Sequence, residues 1–284
     1  MKAKLIPTYL VFSVNLLIAI IFVIPFFWTV STSFKPRQEA VLYPPQALPA
    51  QPTLHYYGKI FFPDVESGDL DYVRMIVNSA ALGFVGTVVT CFLSALAGYA
   101  FSIRKFRGRN IFFYIILAAM LIPYQALLVP LFSEMNSLRL IDNPLCLLLI
   151  YITFFQPLGI FIMKNTFSAV PKALHESAQM DGVGEWTIFS RIYLPNAGIG
   201  LVTVAVFTSA AIWNEFLMAL VFMTSQKNYT LPVGLNFSFQ PPFQIEWGQM
   251  SAISVILFIP TITIFIALRK YFIQGVTAGA LSAE

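Results

Sequence analysis

The sequence predicts an all-α integral membrane protein with about six transmembrane helices. Hydrophobic residues make up 58% of the 284 residues and charged residues only 11%, whereas a soluble domain carries about 25% charged residues. Apolar runs of about 20 residues, the length that crosses a bilayer, recur along the chain. Basic residues flank these runs, so membrane anchoring explains the net charge of +4 better than nucleic-acid binding does.

Six apolar runs are long enough to span the hydrocarbon core. They are Leu10–Phe34, Met75–Ile103, Ile111–Phe132, Pro144–Met163, Gly198–Met223 and Ser251–Leu268. The first run is too long for the core of a signal peptide and no clear cleavage site follows it, so we expect an uncleaved span. We therefore divide the chain into a first helix with a long extracytoplasmic loop (1–74), a transmembrane domain (75–270) and a cytoplasmic tail (271–284).

The orientation follows from the basic residues of the short connections. The segment Arg104–Arg109 holds four basic residues and no acidic one, which is typical of a cytoplasmic loop. Counting spans outward from it predicts that both termini and the 164–197 loop are cytoplasmic. The cysteines Cys91 and Cys146 lie inside apolar runs, where they are expected to act as small hydrophobic residues rather than as metal ligands or a disulfide.

The 164–197 loop is longer than a connection needs to be, and its sequence predicts two short helices about a break. Pro171 suits the start of the first helix. The pair Asp181-Gly182 ends it, because glycine tolerates the left-handed conformation that closes a helix. Glu185 begins the second helix, which continues to Pro195.

Several short motifs resemble one known family. Glu176–Ala178, Asp181-Gly182 and Leu194-Pro195 resemble the E-A-A…D-G…L-P loop of importer permeases in the ATP-binding cassette (ABC) superfamily, with serine in place of the second residue's usual alanine. Trp213–Phe216 and the ending Tyr271–Ala280 are similar to the carbohydrate branch of that family, the maltose type, and to its smaller six-span subunit.

This resemblance implies a type I ABC importer permease in the plasma membrane of a bacterium or archaeon. The implied partners are a second homologous permease, two ATPase subunits and an extracytoplasmic solute-binding protein, and the implied substrate is a di- or oligosaccharide. The resemblance assigns coupling to the ATPase to Glu176, Ser177, Ala178, Asp181 and Gly182. The chain has no G-x-x-x-x-G-K-[ST] segment, so we expect no ATP hydrolysis, no metal and no cofactor in it.

Asn214 and Glu215 are the polar residues that are most expensive to place in the membrane. A carboxylate at membrane depth costs about 2.5–3.5 kcal/mol, so Glu215 should face a partner or an aqueous cavity. Two interpretations stay open: a wall of the translocation pathway, or a contact between helices or at a periplasmic gate.

The connection between the fifth and sixth spans carries several aromatic residues, among them Phe237 and Phe239. The resemblance implies contact between this connection and the binding protein, whereas anchoring at the lipid headgroups is the alternative. For the whole chain, a permease for glycerol phosphate or a polyol, and a secondary carrier or channel without an ATPase, are the competing functions. The span interiors lack basic residues, which favours a neutral substrate over a phosphate.

Overall fold

The computed structural model describes residues 8–64, 70–240 and 244–281, and this part of the chain is almost entirely helical. The helices are α1 (Thr8–Ser33), α2 (Arg37–Ala40), α3 (His55–Phe61), α4 (Tyr72–Ile103), α5 (Arg109–Ala118), α6 (Leu128–Ser137), α7 (Pro144–Ser168), α8 (Lys172–Met180), α9 (Glu185–Ile188), α10 (Leu194–Asn196), α11 (Gly198–Trp213), α12 (Leu217–Phe222), α13 (Leu231–Phe237) and α14 (Trp247–Leu281). A short antiparallel pair, β1 (Phe239–Gln240) and β2 (Gln244–Ile245), precedes the last helix.

Among the described residues, four helices are long and apolar enough to cross a membrane by themselves: Val11–Ser33, Tyr72–Ile103, Pro144–Ser168 and Trp247–Leu268. Two bent pairs of helices pass the same test together, which raises the number of possible spans to six. The pairs are Arg109–Leu121 with Tyr124–Ser137, bent by 92°, and Glu185–Asn196 with Gly198–Trp213, bent by 76°. The predicted all-helical membrane class is confirmed.

The third predicted span is not a single helix. We expected one helix over Ile111–Phe132, but α5 ends at Ala118 and the chain changes direction around Pro123. Ile122 is extended, with φ −82° and ψ 116°, because the ring of a following proline disfavours the helical conformation. Pro123 also lacks the N–H that a continuous helix would use.

The fifth and sixth predicted spans differ in other ways. The run Gly198–Met223 is interrupted, since α11 ends at Trp213 and α12 starts at Leu217. The last helix begins four residues before the predicted Ser251 and continues beyond the predicted Leu268.

The chain forms two compact units, Met1–Val73 with Gly234–Ile259, and Arg74–Val233 with Pro260–Glu284. In the second unit, α4 and α7 approach closely at glycines. A side chain at Gly159 would clash with the Ser94 Oγ atom, and one at Gly98 would clash with the backbone next to Met163. Helices α4 and α7 are therefore closely packed at these two positions.

Two connections of the second unit are fastened together by Asp142. Its carboxylate accepts hydrogen bonds from the backbone N–H groups of Thr224 (3.0 Å) and Ser225 (2.9 Å) and from the Ser225 hydroxyl. Partial burial raises the pKa of Asp142, but the hydrogen bonds from Ser225, Thr224 and Asn228 outweigh it and lower the pKa to about 2. The α6–α7 and α12–α13 connections therefore form one polar assembly.

In the first unit, the long segment after α1 is folded rather than extended throughout. Lys35 is buried, its Nζ atom donates to the Gln46 carbonyl at 2.6 Å, and it lies 4.5 Å above the Trp28 ring. Burial lowers the pKa of Lys35. Arg37 pairs with Glu246 at 3.0 Å, which ties this segment to the chain just before α14.

Candidate functional site

The break in the 164–197 loop forms as the sequence predicts. Helix α8 ends at Met180, Asp181 caps it, and Gly182 has a left-handed backbone with φ +72°. The Gly182 N–H donates to the Gln179 carbonyl and the Val183 N–H to the Ala178 carbonyl, which closes the helix. Pro171 lies immediately before the helix rather than as its first residue.

The five predicted coupling residues separate into a surface and an anchor. Glu176, Ser177, Asp181 and Gly182 are exposed, whereas Ala178 is only 7% exposed. Ala178 packs in a cluster with buried side chains from α4, α7 and the segment after α8. Four of the five residues are therefore exposed, and the fifth packs against the neighbouring helices.

Sequence reasoning missed three apolar residues beside this surface. Leu174 is 45% exposed, Trp186 is 62% exposed and Met180 is 90% exposed. Exposed apolar patches mark interaction sites, and these three are the large exposed apolar residues nearest in sequence to the coupling residues. We call Glu176, Ser177, Asp181 and Gly182, together with Leu174, Met180 and Trp186, the α8 surface.

Aromatic rings join the 164–197 loop to α4 and α7. Tyr99 of α4 contacts Phe189 and Tyr193 edge to face, with ring centroids 5.3 and 5.1 Å apart. Phe167 of α7 lies 5.8 Å from Tyr193, as does the ring of His175 in α8. Edge-to-face contacts of this kind add to the burial energy of the rings. The loop is thus seated on the ends of two long helices.

A carboxylate makes a second connection between the same elements. Glu185, the first residue of α9, accepts a hydrogen bond from the Tyr99 hydroxyl at 2.7 Å. It also pairs with Arg104 at 2.8 Å, one residue beyond the end of α4. The sequence indicated Glu185 only as a helix start, because nothing in its spacing points to either partner.

A separate cavity of about 390 Å³ lies where α11 breaks. Its walls are mainly aromatic and aliphatic, with two strongly polar residues. They are Tyr124, Ile150, Tyr151, Phe154, Phe155, Ala211, Asn214, Glu215, Phe216, Leu217 and Met218. Tyr124 lies just after the break at Pro123, and Asn214 to Phe216 form the break after Trp213. Both breaks that the sequence did not predict therefore border this cavity. Nothing in the sequence pattern pointed to the α7 rings of Tyr151, Phe154 and Phe155 at this cavity.

We expected Glu215 to lie within a continuous helix. It lies instead in the break between α11 and α12. Its carboxylate accepts hydrogen bonds from the Tyr151 hydroxyl (2.7 Å) and from the backbone N–H groups of Met218 (2.8 Å) and Ala219 (3.1 Å). These are the free N–H groups of the first turn of α12, so the carboxylate caps that helix. The carboxylate of Glu215 therefore has the hydrogen-bond partners that a charge inside an apolar run requires.

Asn214 is held by the neighbouring helices. Its amide nitrogen donates to the Ala210 carbonyl at 2.8 Å and to the Thr261 hydroxyl of α14 at 3.2 Å.

The two aromatic residues predicted to contact a binding protein lie close together in the chain. Phe237 ends α13 and is 37% exposed, and Phe239 begins β1 opposite Ile245. The side chain of Phe239 lies outside the described part of the chain.

Comparison with known proteins identifies the family. A family model described as the inner membrane component of binding-protein-dependent transport systems matches residues 90–278. The chain belongs to this family. This permease is 37% identical over 268 residues to the inner membrane ABC transporter permease protein YcjP of Escherichia coli K12, covering 93% of each chain.

A second relative and a solved structure extend the comparison. The permease is 31% identical to the arabinooligosaccharides transport system permease protein AraQ of Bacillus subtilis 168, over 94% of this chain and 92% of the relative. A chain of the bacterial ABC transporter that imports the acidic polysaccharide alginate matches with a TM-score of 0.79 and 23% identity. That match covers 95% of this permease and the whole of the other chain, which shows the ABC importer permease fold. The predicted family, fold and multi-pass location in the inner membrane are confirmed.

Proposed function

We propose that this permease forms half of the translocation pathway of an ATP-driven importer of a di- or oligosaccharide. The α8 surface carries the proposal, because it exposes Glu176, Ser177, Asp181 and Gly182 on a helix that packs against the long helices. The names of two similar proteins support the substrate class, since one belongs to an arabinooligosaccharide system and the other to an alginate importer.

The proposal includes four partner subunits. Two ATPase subunits supply the hydrolysis for which this chain has no G-x-x-x-x-G-K-[ST] segment. One of them binds the α8 surface, with Met180 and Trp186 as apolar contacts. A second homologous permease completes the pathway, and an extracytoplasmic binding protein delivers the sugar to the opposite face, where Phe237 and Phe239 contact it. Both termini and the 164–197 loop are cytoplasmic in this arrangement. Residues 1–74 form the first helix and the extracytoplasmic loop, residues 75–270 the transmembrane domain, and residues 271–284 the cytoplasmic tail.

The mechanism is alternating access. Closure of the ATPase subunits around ATP displaces α8. Because Ala178 and the rings around Tyr99 join α8 to α4 and α7, the displacement reaches the long helices. Helices α4 and α7 are closely packed at Gly159, so we expect shape changes to concentrate at the two breaks. Hydrolysis then restores the starting arrangement.

The cavity at the α11 break is the proposed wall of the pathway. Aromatic faces with a few polar groups suit a neutral sugar, which presents both C–H and hydroxyl surfaces. None of the side chains that line this cavity is basic, which favours a neutral sugar over glycerol phosphate. Asn214 and Glu215 shape this wall, and Glu215 does so by holding the start of α12.

The decisive experiment is purification of the assembled transporter. The permease is co-expressed with its companion permease, ATPase and binding protein and purified in detergent. We expect co-purification of the ATPase and a rise in ATP turnover when sugar-loaded binding protein is added. Calorimetry of the binding protein against neutral oligosaccharides, a polyol and glycerol phosphate identifies the substrate class. Uptake by vesicles that hold the permease without the ATPase would instead show a secondary carrier or channel.

A further inference from the structure

Glu185 connects the 164–197 loop to α4, and the proposed function assigns no role to this connection. It lies outside the α8 surface and is partly buried, with 33% of its side chain exposed. Its carboxylate contacts Tyr99, in the last two turns of α4, at 2.7 Å and Arg104, one residue beyond the end of α4, at 2.8 Å. One acidic group thus joins the second half of the 164–197 loop to a single long helix.

The position of Glu185 along the chain explains why this contact matters. It follows Gly182 by three residues, and Gly182 is where the chain turns out of α8. Any displacement of α8 along the chain reaches Glu185 before it reaches the buried ring of Phe189. Glu185 is therefore the first residue after the turn with a directional contact to α4.

Directional contacts transmit movement differently from apolar ones. The aromatic contacts of Tyr99 with Phe189 and Tyr193 resist separation, but rings can slide past each other at little cost. A charged hydrogen bond weakens when its direction changes, so it fixes the relative position of two elements.

A role in stability alone is a poor explanation of the pair. The Arg104 side chain is 52% exposed, and ion pairs in contact with solvent contribute little to folding stability.

We propose that Glu185 is a positioning residue that transmits the displacement of α8 to α4 through Tyr99 and Arg104. This inference rests on the proposed function, since it requires that an ATPase moves α8. It names a residue outside the E-A-A…D-G pattern as necessary for productive coupling. Arg104, on this inference, serves coupling as well as membrane orientation.

The test uses the complete transporter in proteoliposomes. The variants are Glu185→Gln, Glu185→Ala, Arg104→Ala, and the exchanged pair Glu185→Arg with Arg104→Glu. Arg107→Ala is the matched control, because Arg107 lies in the same basic segment and is exposed. Three quantities are measured for each variant: ATPase co-purification, ATP hydrolysis and sugar taken up per ATP hydrolysed.

We expect Glu185→Ala and Arg104→Ala to retain the ATPase but to lower the sugar taken up per ATP by about tenfold, a typical size for coupling between two sites. The sugar taken up per ATP should fall less in Glu185→Gln, because the amide oxygen still accepts the hydrogen bond from Tyr99. The exchanged pair should recover part of the loss, and Arg107→Ala should behave as the wild type.

Two results would overturn the inference. One is an unchanged ratio of uptake to hydrolysis in Glu185→Ala. The other is loss of ATPase co-purification in every Glu185 variant without recovery in the exchanged pair, which would show a purely structural role. If the wild-type permease itself fails to retain the ATPase, the proposed function fails, and this outcome is distinct from both.

Discussion

At the scale of single residues, Gly182 determines the shape of the α8 surface. Its φ of +72° is a conformation that side chains other than glycine adopt at a cost of about 1 kcal/mol, and aspartate and asparagine tolerate it best. Nothing lies within 4 Å of a side chain added there. A substitution at this position therefore tests the surface without disturbing the interior.

We predict that Gly182→Asp leaves folding intact and abolishes sugar uptake. The added carboxylate projects from the surface and keeps the ATPase from approaching the backbone. Gly184→Asp is the control, because Gly184 has an ordinary φ of −66° and equally open surroundings. Uptake and detergent-solubilised yield are measured for both variants, and wild-type uptake by Gly182→Asp would refute the assignment of the surface.

Asp142 is a second residue whose contribution to the free energy of unfolding can be measured by a single substitution. We predict that Asp142→Asn lowers the free energy of unfolding at pH 7 by about 1–2 kcal/mol, because charged hydrogen bonds to the α12–α13 connection weaken. The folded pKa of about 2 lies below the ordinary value of 3.8. The stabilisation by the charge is therefore complete above the ordinary pKa and is lost as the pH falls towards the folded one.

The measurement is thermal unfolding of both proteins in detergent at pH 7 and pH 3. The difference in midpoint temperature between wild type and Asp142→Asn should be smaller at pH 3. Equal midpoints at pH 7, or a difference that grows at pH 3, would contradict this role.

At the scale of elements, the two interrupted spans show what sequence patterns convey and what they omit. The six apolar runs and the break at Asp181-Gly182 follow from hydropathy and from the backbone preference of glycine. Pro123 is a local signal for the break in the third span, but a uniformly apolar run around it concealed that signal.

The break after Trp213 has a different cause. No glycine or proline marks it, and it depends on a carboxylate that caps α12 and accepts a hydrogen bond from Tyr151 of another helix. Such a contact between distant residues is invisible to periodicity. For the same reason the resemblance of the sequence to a known family indicated the five coupling residues of the loop, but not the partners of Glu185.

We predict that Glu215→Gln destabilises the permease by about 1–2 kcal/mol and alters uptake, because a neutral amide is a weaker cap for α12. Tyr151→Phe is the matched control. It removes one hydrogen bond to the carboxylate but leaves those from Met218 and Ala219, so its effect on stability should be smaller.

Unfolding midpoints and uptake rates are compared for both variants. Altered uptake with unaltered stability in Glu215→Gln would instead favour direct contact between this residue and the sugar.

At the scale of the whole molecule, the proposed orientation can be measured by chemical labelling. Cys91 and Cys146 are first replaced by serine, and single cysteines are then introduced as Arg107→Cys or Lys227→Cys, both at exposed positions. In intact cells, a membrane-impermeant maleimide should label the cysteine at 227 alone. The cysteine at 107 should react only after permeabilisation, and the reverse pattern would invert the topology.

Two polar contacts described above also decide how often the chain crosses the bilayer. Arg104 and Glu185 touch, so they lie at one face, and the chain between them must cross an even number of times. The 25 residues of α7 extend about 37 Å, enough for one crossing. We therefore expect the bent pair of α5 and α6 to supply the other crossing, as a broken span rather than a re-entrant hairpin.

The same parity holds at the opposite face. Asp142 and Ser225 touch, with α7 as one crossing between them, so the bent segment that contains α11 must return the chain. Together with the four long apolar helices of the described chain, this parity agrees with the upper count of six candidate spans. With six crossings, the interruptions at Pro123 and after Trp213 fall inside spans, where only a protein interior or an aqueous passage can accommodate backbone polar groups that are not paired within a helix.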